Sequence, residues 1–143
     1  MLRDCPPGSI VLLRKPPDSS GKRAANDHWF VIVGPASEYR VGGKIEAIAV
    51  SSAVAAGQID PKIHFPMPFR ERGNPDTGFS KPCYACVNWT VQIPVFESDD
   101  ISEELEIKAD DKGRFLPAAE FTKLIACRDA FHAAQKTKRG KGH

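Results

Sequence analysis

No apolar run in the 143-residue chain approaches the roughly 20 residues that cross a bilayer, which argues against a membrane-spanning helix and a membrane partner. The opening residues Met1-Leu2-Arg3-Asp4-Cys5-Pro6-Pro7 hold no apolar signal-peptide core, so a cytoplasmic location is expected. Cysteine is sparse. Four thiols, Cys5, Cys83, Cys86 and Cys127, in a chain without an export signal are expected to be reduced rather than a disulfide framework. Neither an internal repeat nor a Gly-x-Ser-x-Gly elbow is present, and without that elbow a serine-hydrolase reading is weak.

What is present is ordinary globular material. Hydrophobic residues at 41% and charged residues at 27% argue against disorder, and the length suits one domain with one core. Charge is unevenly spread under a net +2. Residues 97–111 hold eight acids against Lys108, whereas residues 112–143 hold eight bases against two acids. An acidic edge and basic surfaces able to receive phosphate are expected.

Short β-branched and aliphatic runs alternate with Gly/Pro turns along the first half. Gly8–Arg14 reads as a first strand and 16–23 as a polar loop. His28–Val33 reads as a strand buried on both faces, and Ile45–Val50 as a third. This spacing predicts a barrel or sandwich rather than βαβ units. Four prolines and two glycines make residues 66–82 a long loop, after a short strand at Ile63–Phe65. Cys83–Val95 gives a strand pair or one long bent strand, and Ile101–Lys108 an edge strand or a short helix. A helix is predicted from Pro117 to about Gln135, with Phe121, Leu124, Ile125, Cys127 and Phe131 spaced for one face. The expected organisation is therefore a mainly β domain over residues 1–135, a small barrel closed by a C-terminal helix. A basic, disordered tail over 136–143 would follow it.

Several residues could carry chemistry. His28, beside Asp27 at a strand start, could transfer protons near neutral pH or contact phosphate; its bland reading is a strand-end histidine satisfied by backbone. Ser51 and Ser52 end the third strand, where hydroxyls usually satisfy turn backbone. Lys22, Arg23, Arg70 and Arg72 are candidate phosphate contacts, and the basic tail could add nonspecific nucleic-acid affinity. Cys83-Tyr-Ala-Cys86 has the spacing of zinc and redox pairs. With no second pair and strand-like flanks, it reads as two ordinary strand cysteines; neither a metal nor a cofactor is expected.

The order of these pieces resembles the MazF/PemK growth-inhibitor toxins. Gly8-Ser-Ile-Val-Leu-Leu is similar to that family's opening strand, and His28-Trp-Phe-Val-Ile-Val-Gly-Pro35 to its second, after a basic loop. Ile45-Glu-Ala-Ile-Ala-Val-Ser-Ser52 sits where the family has an apolar strand ending in Ser or Thr. The resemblance implies an SH3-like barrel, usually dimeric, that cleaves single-stranded RNA and is neutralised by an antitoxin protein. The family's catalytic arginine would fall on His28, its hydroxyl residue on Ser51, and its later Asp near Asn88. It implies His28 and Ser51 as catalytic residues, with Lys22, Arg23, Ser52, Arg70 and Arg72 toward RNA phosphate.

Overall fold

The computed structural model describes residues 6–18, 20, 22, 24, 26–34, 43–95, 107–108 and 113–141. Strands β1 (Ile10–Leu13), β2 (His28–Ile32), β3 (Gly43–Ser51), β4 (His64–Pro66), β5 (Tyr84–Val95) and β6 (Ile107–Lys108) precede one helix, α1 (Ala118–Lys141). All the strand pairs are antiparallel, in the order β4-β5-β3-β2-β1-β6. Among the described residues the edge strands β4 and β6 do not pair with each other, so the sheet is open. The outer side of β1 is partly covered, because Ile10 N donates to Arg114 O and Leu116 N to Gly8 O.

Apolar side chains fill both faces of this sheet, as the unbroken run in β2 requires. Phe30 and Ile32 point to one side with Val11, Leu13, Ile45, Ala47, Val91 and Ile93; Val31 points to the other with Ile10, Ile48 and Val50. Helix α1 lies on that second side and contributes Phe121, Leu124, Cys127 and Phe131 at helical spacing. Arg128, on the same helix face, reaches Glu46 of β3 through two hydrogen bonds, one of them Nη2 to Oε1 at 2.8 Å. The helix runs six residues past the predicted end at Gln135.

Tyr84–Val95 form one bent strand, and the bend is a register change. Ile48 pairs with Thr90 but Ala49 with Cys86, so Val87, Asn88 and Trp89 are extra residues on β5. Regular alternation would send 85, 87, 89, 91 and 93 to one face. The irregularity divides them instead: Ala85 and Val87 face the helix, whereas Trp89, Val91 and Ile93 face the opposite core. Trp89 then crosses the sheet to touch Phe30 of β2, and its Nε1 donates to Pro17 O at 2.9 Å. Contact between β5 and the loop after β1, with two strands between them, means that the sheet curls round this face.

The 66–82 loop is held by its own polar groups. Thr77, fully buried, donates Oγ1 to Pro68 O at 2.8 Å, and Asn74 Oδ1 accepts from the N–H groups of Asp76 and Thr77. Met67, Phe79 and Cys83 seat the loop in the helix-side core. The edge-strand reading of the acidic segment holds at Ile107–Lys108, which pair with β1; residues 101–106 lie outside the described ones.

Candidate functional site

His28 opens β2, and its position follows from the ladder beside it. The β2–β3 register runs from Ile32↔Ala47 to Trp29↔Val50. Continued by one residue, it sets His28 opposite Ser51. Both belong to the face of Phe30 and Ala49, away from the helix, since side chains alternate along each strand. Ser51 is in turn the register partner of Tyr84 on β5, and Tyr84 of Pro66 on β4. A row of positions thus crosses four strands at one end of the sheet. Phe30 and Ala49, one step inward, are fully buried, but His28, Ser51 and Tyr84 are all half-exposed. The row is where this apolar face reaches water.

The imidazole of His28 packs edge-on against Trp89, with ring centroids 4.9 Å apart. Burial there lowers its pKa below the ordinary value, and the charge of neighbouring Asp27 opposes the shift. The neutral ring, able to accept a proton, is therefore favoured near pH 7. Asp27 Oδ1 also accepts from Lys15 N, which ties the two ends of the 14–27 loop. Ser51 Oγ accepts from Ala53 N at 3.1 Å, a turn-capping bond of the kind expected for a strand-end hydroxyl. Its O–H remains a donor, because a hydroxyl both accepts and donates.

The other predicted contacts are distributed differently. Lys22 is exposed in the basic loop, where Asp18 Oδ1 accepts from Lys22 N and from Ser20 N and Oγ. The Ser20 hydroxyl holds the Asp18 carboxyl below its ordinary range. Pro17 of this loop binds Trp89, which brings the loop to the His28 side. Arg23 lies outside the described residues. Ser52 is exposed beyond the end of β3. Arg70 and Arg72 are exposed on the 66–82 loop, whose Met67 and Phe79 are seated in the helix-side core.

The cysteine pair diverges. Cys83 lies in the helix-side core, while Cys86, paired with Ala49, turns to the opposite face. Burial pushes the Cys83 thiol up to about 11 and raises Cys86 as well. Among the described residues no three metal-ligating side chains converge.

Two side chains near the row escaped sequence reasoning. Tyr84 had no role outside the Cys-Tyr-Ala-Cys spacing, and His64 had none. Their rings stand edge to face at 6.2 Å. His64 Nδ1 accepts from Asp60 N at 2.9 Å, which fixes the ring and leaves Nε2 as the hydrogen-bearing atom of its neutral form. No local pattern could have found this pair, because the β4–β5 and β3–β5 registers alone create it. No family model, curated protein or solved structure matches the chain.

Proposed function

We propose that this protein is a MazF/PemK-like toxin of a toxin–antitoxin module, a cytoplasmic endoribonuclease acting on single-stranded RNA. In this reading the curled sheet is an SH3-like barrel, usually paired as a homodimer, and an antitoxin protein covers its RNA groove. What supports it most is the β2–β3 register, which ends at Trp29↔Val50 and, continued by one residue, would set His28 opposite Ser51, both half-exposed.

The reaction this pair suits is attack of a ribose 2′-hydroxyl on the adjacent phosphorus. His28, favoured in its neutral form, takes the 2′-hydroxyl proton as the new P–O2′ bond forms. Ser51 donates its O–H to a non-bridging phosphate oxygen, where charge builds. The P–O5′ bond breaks and the imidazolium returns the proton to the departing 5′ oxygen. Lys22 and Arg23, from the basic loop, balance phosphate charge. An imidazole replaces the expected arginine in proton transfer but not as a bidentate phosphate clamp.

A second reading, a non-catalytic barrel that binds nucleic acid or a protein partner, is favoured by the bond from Ala53 N to Ser51 Oγ, which gives that hydroxyl an ordinary structural use. Induced expression in cells separates the two. Growth arrest with RNA cleavage, lost in His28→Ala and in Ser51→Ala, supports the enzyme. Unimpaired growth with intact RNA supports the binding module.

A further inference from the structure

We infer that Tyr84 is a nucleobase-stacking platform beside the His28–Ser51 pair, so that the site takes the base adjoining the reacting phosphodiester on β5. This rests on the RNA reading above and extends it to a binding position that the resemblance does not supply.

The argument starts from the register. Ser51 and Tyr84 are direct cross-strand partners, which places their Cβ atoms about 5 Å apart on one face. A phosphate oxygen held by the Ser51 hydroxyl would therefore lie about one nucleotide's reach from the phenol ring. Tyr84 is half-exposed at a row whose inward neighbours Ala49 and Cys86 are buried. His64 braces the ring edge-on at 6.2 Å and is itself fixed by the bond from Asp60 N. An aromatic ring braced in this way needs little further ordering to receive a planar ligand. Base–aromatic stacking is sequence-tolerant because every base presents a π face. Tyr84 would therefore hold the strand without dictating which base is cleaved.

The test uses the full chain and a short single-stranded 2′-fluoro RNA, which lacks the attacking hydroxyl, with binding read by fluorescence anisotropy at fixed salt. Tyr84→Leu keeps an apolar side chain but removes the π face, and should weaken binding about tenfold. Tyr84→Phe and Tyr84→Trp keep a ring and should bind within about twofold of wild type or more tightly. Thermal melts confirm that each variant folds; if Tyr84→Leu does not, the Phe and Trp variants still decide. Loss of binding in both of those, no effect of Tyr84→Leu, or failure of wild type to bind would each overturn the inference. Tyr84-dependent binding by a protein that never cleaves ordinary RNA would retain the stacking platform and reject the nuclease. Cleavage that is lost in His28→Ala but unchanged in Tyr84→Leu would do the reverse.

Discussion

The His28 imidazole stands edge-on to Trp89 with centroids 4.9 Å apart, so a titratable ring at a strand end is half-sheltered by the residue that curls the sheet. Its pKa is lowered by burial, with Asp27 pulling the other way. The unfolded chain therefore binds a proton before the folded one does as pH falls through the usual histidine value near 6.5. The contribution of His28 to stability is complete above that value, declines as pH drops toward the folded pKa, and changes no further below it.

Asp27→Asn removes the charge that favours imidazolium, so the folded pKa of His28 should fall further. An NMR titration of the ring protons checks this. The acid limb of any cleavage profile should lie below 6.5 in wild type and shift to lower pH in Asp27→Asn.

The ion pair between Arg128 and Glu46 links the helix to the centre of the sheet. The side chains are 26% and 13% exposed, and the bonds to Glu46 raise the Arg128 pKa. Arg128→Ala leaves a mostly buried carboxylate without its guanidinium and should cost about 2 kcal/mol in urea unfolding. Replacing both partners, as Arg128→Met with Glu46→Leu, should recover much of that loss, since no buried charge is then left unpaired.

The loop at 66–82 offers a third check. Gly78 adopts φ 75, and a Cβ there would lie 2.6 Å from Arg114 Nε, whose guanidinium stacks over Trp29 with its central carbon 4.2 Å from the ring centroid. Gly78→Ala should destabilise the fold by about 1–3 kcal/mol. Tryptophan fluorescence should report the disturbed stacking.

Much of the sheet was legible because its signals are local. The apolar run from Trp29 to Val33 needed burial on both faces, and the helix face of Phe121, Leu124 and Phe131 repeated at helical spacing. Long-range pairing was not legible. The alternation of Trp89, Val91 and Ile93 was readable, but the three residues inserted opposite Ile48 and Ala49, which turn Val87 to the other face, depend on β3 and leave no mark in β5 itself. The site divides along the same line. His28 and Ser51 each stood out at a strand end, whereas Tyr84 and His64 gained their positions only through register. Arg70 and Arg72 were grouped with them on charge, and the way Met67 and Phe79 of their loop enter the helix-side core was not legible from composition.

Cleavage of a defined single-stranded RNA by purified protein, with the new ends identified by mass spectrometry, tests most directly whether His28 and Ser51 serve one phosphodiester. The expected products carry a 2′,3′-cyclic phosphate and a 5′-hydroxyl, and the 2′-fluoro analogue should stay intact. His28→Ala should lower the rate about 10²–10⁴-fold and Ser51→Ala about 10²-fold or more. The double variant should be little worse than the more severe single one, because the residues act as a unit. Intact RNA with wild-type protein, or a rate unaffected by either substitution, would contradict the account.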